Sequence, residues 1–178
     1  MKNTVLAPCV VTLALLTPSV GLAERHGVHL EAQDGARITI GTLDLAPDGA
    51  YTLALDDGKF SDNFLSMRPF QCLDGPDKQW CYVPYPYENA RVLGDDLTDL
   101  EYDLLFVWKG VNDYGINMWN GVYYRLQPEG DRIVGTLHEM DMDRLAVPPA
   151  PGQLRPIRPV DLEVGDPDSH WLPRVVIE

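Results

Sequence analysis

The sequence predicts a mainly β protein: a single antiparallel β-barrel or sandwich-like domain with one short helix and a proline-rich C-terminal tail. Three observations support this fold class. Short apolar stretches alternate with polar residues, turn sequences rich in Asp, Gly and Pro separate these stretches, and seven prolines follow residue 146. Short strands at regular spacing are typical of a meander in a sandwich or a barrel. The pattern leaves both architectures open.

The first 23 residues are predicted to be a signal peptide. Lys2 supplies a basic start, residues 5–20 are largely apolar, and Gly21-Leu22-Ala23 offers small residues for cleavage after Ala23. The apolar stretch is too short and too interrupted to span a membrane. We therefore expect a periplasmic or secreted protein whose mature chain has no integral membrane segment.

The mature chain is strongly acidic. The formal charge of the full sequence is −13, and that of the mature chain is −14 because cleavage removes Lys2. Such a surface repels phosphate backbones and anionic lipid head groups, so nucleic acid and the membrane surface are not expected partners. The remaining length suits one domain with its own core. We place this β-domain at residues 24–146 and the tail at residues 147–178.

The first predicted strands follow one another through short turns. Alternation over residues 38–45, with one irregularity near Gly41, indicates a strand with a β-bulge. Residues 51–55 continue with the same period. Asp56-Asp57-Gly58 then turns the chain into a strand over residues 60–67.

A short helix and three longer strands are predicted in the middle of the chain. Residues 95–100 carry an Asp that suits an N-cap and further acids that suit a first helical turn. The pattern then predicts strands over 101–109, 114–126 and 132–142. Within them, Asn120-Gly121 is either a tight turn or a bulge.

Cys72 and Cys81 are predicted to form a disulfide. They are the two cysteines left after the signal peptide, and an even count in an oxidising compartment favours a disulfide over a metal site or a catalytic thiol. The turn sequence Asp74-Gly75-Pro76-Asp77 lies between them. It folds residues 70–73 against residues 79–83, so the bridge would pin a hairpin.

The tail is expected to return to the body of the domain. Its prolines exclude long regular elements, but Trp171-Leu172 and residues 175–177 are too apolar to remain in water. We expect these last residues to dock back, as an edge strand.

Two patterns make copper binding an alternative. His138, Met140 and Met142 fall on one face of a predicted strand, and an imidazole with two thioethers suits Cu(I). Cleavage after Ala23 places His26 third in the mature chain, as in the amino-terminal copper-binding motif. Packing of the methionines in the core is the simpler interpretation, so we predict no cofactor.

Aromatic residues in the middle of the chain suggest a binding surface. Tyr85 and Tyr87 lie on a proline-rich loop, and Trp108 and Trp119 belong to the predicted strands. Such side chains suit an apolar ligand or a partner protein. The sequence contains no nucleophile elbow, phosphate-binding loop or HExxH motif. A non-enzymatic role is therefore favoured.

Four stretches resemble an uncharacterised family of exported proteobacterial proteins: FLSMRPFQC (64–72), WCYVPYPYEN (80–89), WNGVYYRL (119–126) and HWLPRVVIE (170–178). The resemblance spans most of the mature chain and implies a location in the Gram-negative envelope. It implies no activity and no site. We expect an exported β-domain that binds a small or apolar ligand or an envelope partner. Copper binding and a purely structural or interaction role are the alternatives.

Overall fold

The computed structural model describes residues 23–64 and 69–178. The predicted signal peptide lies outside these residues apart from Ala23, as does the end of the strand predicted over 60–67. Within the described ranges, no helix is long and apolar enough to cross a membrane. The same ranges contain one α-helix, α1 (Thr98–Asp103), and eleven strands: β1 (Glu24–Glu31), β2 (Arg37–Leu45), β3 (Tyr51–Leu55), β4 (Ser61–Phe64), β5 (Pro69–Asp74), β6 (Lys78–Tyr82), β7 (Phe106–Gly110), β8 (Gly121–Glu129), β9 (Arg132–Met140), β10 (Glu163–Val164) and β11 (Arg174–Ile177).

The strands form one antiparallel sheet that curls into a half-barrel. The strand order is β3-β2-β1-β11-β9-β8-β7-β6-β5-β4, and the short β10 pairs with β9 beside β11. The two edge strands, β3 and β4, are consecutive in the chain and are joined through a 3₁₀ turn at Asp57–Lys59. This short link keeps the end of β3 close to the start of β4. The mainly β prediction is confirmed.

The predicted irregularity near Gly41 is a register shift in the β1–β2 pairing. Val28 pairs with Gly41, but the next residue, His29, pairs with Thr39, so Ile40 is the extra residue of the bulge. A side chain at position 41 would meet the carbonyl oxygen of Ala54 on β3 at 2.3 Å. Only glycine therefore allows β3 to approach β2 at this point.

The predicted hairpin at residues 70–83 is present and carries the disulfide. Cys72 on β5 lies directly opposite Cys81 on β6, and their Sγ atoms are 2.10 Å apart. The two sulfurs are fully buried. The bridge thus ties together two neighbouring strands near one edge of the sheet.

Two hydrophobic clusters cover the two faces of the sheet. The inner cluster includes Trp80, Phe106 and Tyr124 and draws residues from strands across the whole sheet, which places it on the concave side. The outer cluster includes Val107 and Tyr123, the neighbours of those residues along the strands. The alternation explains why residues 104–108 are apolar without a break: this part of the sheet is buried on both faces.

The helix starts later than predicted and displaces the beginning of the next strand. The acids Glu101 and Asp103, predicted to open a strand, belong instead to α1 and are buried. Asp103 accepts hydrogen bonds from the Tyr51 hydroxyl at 2.9 Å and from Arg91 Nε at 2.9 Å. Glu101 accepts bonds from the Tyr123 hydroxyl and, through its other oxygen, from a backbone N–H of β8. These partners hold the acids in the interior, so the strand prediction over 101–109 was wrong for its first five residues.

The strand predicted over 114–126 begins only at Gly121. Residues 111–120 form a loop, so Asn120-Gly121 is neither a hairpin turn nor a bulge but the entry into β8. The Asn120 backbone bonds to Trp108 on β7, which aligns the start of β8 with its neighbour. At its other end β8 reaches Glu129, opposite Arg132, so the strand extends three residues beyond the end predicted at residue 126.

The tail does dock back on the body, but its last strand is not at an edge. Strand β11 lies between β1 and β9, with Val175 paired to Leu30 on one side and to Gly135 on the other. Its three apolar residues at 175–177 are buried. The upstream part of the tail packs Ile157 and Leu162 against the outer cluster. The chain end is thus central to the sheet because its apolar residues need burial on both faces.

Candidate functional site

An apolar groove opens at the border of the outer cluster. Its volume is about 800 Å³, which is within the range of small-molecule sites. Four separate parts of the chain contribute to it: β4 and β5, the loop after β6, the loop before β8, and the 3₁₀ turn after β9. The lining residues are Asp62, Pro69, Phe70, Gln71, Tyr82, Val83, Pro84, Pro86, Met118, Met142, Asp143, Leu145 and Ala146.

The turn Met142–Ala146 forms one wall of the groove. The Asp141 carboxylate accepts a hydrogen bond from the Asp143 N–H at 2.9 Å, which caps the turn. The Met142 N–H donates to the Met118 carbonyl at 2.9 Å and joins the turn to the loop before β8. Met142 is fully buried beneath this wall, whereas Ala146 is exposed on it. The wall therefore has a backbone fixed by hydrogen bonds, with the Met142 thioether packed beneath it.

The opposite wall comes from the proline-rich loop that contains Tyr85 and Tyr87. Exposure alternates along this loop, so Pro84 and Pro86 face the groove while the tyrosines turn toward the protein. The Tyr85 hydroxyl donates to the Leu154 carbonyl of the tail at 3.2 Å, and the Tyr87 hydroxyl donates to the Leu145 carbonyl at 2.5 Å. Both tyrosines thus hold the loop and position its prolines.

The charged side chains that line the groove are both acidic. Asp62 and Asp143 are exposed, and none of the described lining residues is Lys, Arg or His. Trp119, which is 68% exposed, donates from its indole N–H to Asp143 at 3.1 Å. Burial, reinforced by the charge of Asp103, raises the pKa of Tyr82 to about 12. The Tyr82 hydroxyl is therefore neutral at physiological pH, and the negative charge of the groove is confined to its two aspartates.

Trp108 lies away from the groove, on the inner face of the sheet. Its ring packs against the inner cluster, and the Lys78 ammonium lies 4.0 Å from its centroid. The ring of His170 is also nearby, with its centroid 5.7 Å from that of Trp108. Of the four aromatic residues predicted from the sequence, Trp119 contacts a groove residue, Tyr85 and Tyr87 support a wall, and Trp108 belongs to the core.

The residues proposed for copper occupy two distant places. Glu24 to His26 form the start of β1, where His26 pairs with Leu43 of β2. Square-planar ligation by the amino terminus needs the amide nitrogens of these residues, so copper would have to draw them out of the sheet. His138, Met140 and Met142 are buried on the outer side of β9 and the following turn. Among the described residues, no three His, Cys, Asp or Glu side chains form a metal-binding cluster.

Several groove residues were not predicted from the sequence, namely Phe70, Met118, Leu145 and the two aspartates. They come from elements that are adjacent only in the folded sheet, so no local spacing links them. The alternation of Pro84 and Pro86 with the tyrosines is the one sequence signal that points to a groove wall.

Compared with known proteins, the chain matches no family model, no curated protein and no solved structure.

Proposed function

We propose that the protein is an exported, non-enzymatic binding protein that holds a small apolar ligand with a cationic end in this groove. The observation that carries the proposal is the composition of the groove: apolar walls with two thioethers, and negative charge at Asp62 and Asp143 that no cation among the described lining residues neutralises. Apolar sites with a few polar groups are typical of small-molecule recognition. The two carboxylates complement a positive group at one end of the ligand.

The apolar part of the ligand supplies most of the affinity. An eight-carbon chain removed from water contributes up to about 6 kcal/mol, at about 0.8 kcal/mol per methylene, before the costs of association are subtracted. We therefore expect a Kd between micromolar and millimolar for a simple amphiphile. Exposed ion pairs add about 0.2–1 kcal/mol each. With two carboxylates that attract a cation and repel an anion by this amount, a cationic head should bind at least about fourfold more tightly than an anionic head on the same chain.

Calorimetric titration with octyltrimethylammonium, octanol and octanoate tests the proposal. We expect binding in that order of decreasing affinity. Ala146→Trp should fill the groove and abolish binding of all three, whereas Val147→Trp, at an exposed neighbour that does not line the groove, should leave binding unchanged. Asp62→Asn with Asp143→Asn should remove the preference for the cation. Asp95→Asn with Asp131→Asn, two exposed acids that do not line the groove, is the charge-matched control. Absence of binding by all three probes would favour a structural or interaction role.

Export is supported by the disulfide, since structural disulfides persist in oxidising compartments, and by the resemblance to exported proteobacterial proteins. The intact mass of the protein purified from the envelope of its own cells tests this part of the proposal. Cleavage after Ala23 and the loss of two hydrogens at Cys72 and Cys81 are expected. A full-length, reduced chain in the cytosol would contradict it.

A second candidate function is Cu(I) binding by thioethers of the groove wall. A Cβ at Gly121 would meet the side chains of Met142 at 2.6 Å and Met140 at 3.1 Å, so both methionines lie over this glycine. Met118 joins Met142 in the groove. Thioethers are soft ligands that suit Cu(I). Titration with Cu(I) against a competing chelator should show loss of binding in Met118→Leu, while octyltrimethylammonium still binds to that variant.

A further inference from the structure

Lys109 is a buried cation. It lies on β7 and is 4% exposed. Its ammonium donates to the Gln79 Oε1 atom at 3.0 Å and to the Gly110 carbonyl at 2.8 Å. Within the described ranges, no carboxylate oxygen comes within 4.0 Å of the Lys109 nitrogen. A buried charge held only by neutral acceptors is costly, because neither acceptor supplies an opposite charge.

The amide of Gln79 is fixed in the orientation that serves Lys109. Gln79 lies directly across the β6–β7 ladder, and its Nε2 donates to Asp74 Oδ1 at 2.5 Å. The Asp74 carboxylate also accepts a bond from the Ser61 hydroxyl at 2.9 Å. The amide oxygen of Gln79 is thereby turned toward the Lys109 ammonium. The Asp74 carboxylate bonds to the other end of the same amide and does not reach the ammonium. An ammonium has three donors, and these two contacts use two of them.

Lys109 also lines a cavity of about 460 Å³, whose other lining residues belong to the β7–β8 loop. Three of its lining residues are asparagines. The side-chain oxygen of Asn117 accepts from the backbone N–H of Trp119 at 3.1 Å, which leaves the side-chain amide nitrogen of Asn117 as a donor. Asn112 makes no side-chain hydrogen bond within the described part of the chain. The lining residues are Lys109, Asn112, Asp113, Tyr114, Gly115, Ile116, Asn117 and Asn120.

We infer that this cavity is a second binding site, which takes a ligand bearing a single carboxylate. The carboxylate supplies the missing counter-charge to Lys109 and accepts from the side-chain amides of Asn112 and Asn117. Asp113, whose carboxylate accepts from the Gly110 N–H at 2.8 Å, lies on the same wall and repels a second negative charge. A monoanion is therefore preferred to phosphate or another dianion.

This site is independent of the apolar groove. The two sites share no lining residue, and they select opposite charges. Failure of one proposal therefore leaves the other intact.

Two-dimensional ¹H–¹⁵N NMR of the purified protein tests the carboxylate site, with acetate, acetamide and phosphate added at constant ionic strength. Acetate should cause saturable shifts of the Gly110, Asn112 and Asn117 signals. Acetamide, which has the same shape without charge, should cause none, and phosphate should bind at least fivefold more weakly than acetate. Tighter binding of phosphate would overturn the assignment to a monocarboxylate.

Variants separate the role of Lys109 from general charge effects. Lys109→Met should abolish the saturable shifts, whereas Lys59→Met, which removes an exposed charge elsewhere, should leave the acetate Kd unchanged. Asn112→Ala loses no hydrogen bond of the described structure, so it should fold normally and weaken acetate binding severalfold. Saturable acetate shifts that are identical in Lys109→Met and wild type would refute the site, as would an unchanged Kd in Asn112→Ala.

Discussion

Tyr124→Phe should destabilise the protein strongly, because one hydroxyl joins the half-barrel interior to the tail. The Trp80 indole N–H donates to the Tyr124 oxygen at 3.0 Å, and the Tyr124 hydroxyl donates to the Leu172 carbonyl at 2.8 Å. All three residues are fully buried or nearly so. The substitution keeps the ring and its packing, so its effect isolates these two bonds.

The magnitude follows from the groups left behind. Removal of the hydroxyl leaves the Trp80 N–H and the Leu172 carbonyl buried without partners, and an unsatisfied buried group costs about 1–3 kcal/mol. A buried carbonyl without a hydrogen-bond partner is tolerated better than a buried N–H without one. We expect a loss of about 2–4 kcal/mol in the free energy of unfolding. With an m-value of about 2 kcal/mol/M in urea, the midpoint falls by about 1–2 M.

Urea unfolding followed by circular dichroism, with the disulfide intact, measures this loss. Tyr114→Phe is the matched control, since Tyr114 is fully exposed and its hydroxyl is free to bind water. In a double-mutant cycle, Tyr124→Phe should cost less when Trp80 is already Phe, because one of the two orphaned groups is then absent. A loss below about 0.5 kcal/mol for Tyr124→Phe would refute the claim that this chain of bonds holds the tail to the interior.

Two further predictions concern the disulfide and a buried histidine. Replacing Cys72 and Cys81 by Ala should lower the free energy of unfolding by about 2–3 kcal/mol through loop-closure entropy, and an unchanged urea midpoint would contradict this. Burial and the nearby Lys78 charge lower the pKa of His170, whose Nε2 lies 3.0 Å from Glu139 Oε1. The folded state then favours the neutral ring, so stability is lost as the pH falls below about 6.5, the ordinary imidazole value. The Tm of wild type should fall more than that of His170→Gln between pH 8 and pH 5, and parallel curves would argue against a titrating His170.

Local chemistry made part of the fold predictable. The turn between Cys72 and Cys81 predicted both the hairpin and the bridge, because turn residues and a short loop leave few alternatives. The irregularity near Gly41 predicted a bulge, because a change of the side-chain face within one strand needs an extra residue. In both cases the decisive partners lie within a few residues of one another in the sequence or on the adjacent strand.

The predictions that were wrong concern residues whose structure depends on partners far away in the sequence. Glu101 and Asp103 were assigned to the strand predicted over 101–109, but they belong to α1, where Tyr123, Tyr51 and Arg91 bind them in the interior. Nothing near these acids in the sequence indicates such partners. The central position of β11 likewise depends on pairing with β1 and β9, which lie far from it along the chain.

The candidate sites were less predictable than the fold. Of the residues that line the groove, the sequence singled out only Met142, and for copper rather than for an apolar ligand. Met118 and Phe70 meet it through the curl of the sheet. Lys109 shows the same limit, because an isolated lysine in an apolar strand gives no sign of whether a carboxylate will reach it.

The central claim is that an apolar ligand with a cationic end occupies the groove. Intermolecular nuclear Overhauser effects between octyltrimethylammonium and protein labelled with ¹³C at the methionine methyl groups test it most directly. We expect contacts from the octyl chain to the methyl groups of Met118 and Met142, and both contacts should be lost in Ala146→Trp. Binding of the probe without contacts to either methyl, or contacts that persist in Ala146→Trp, would contradict it.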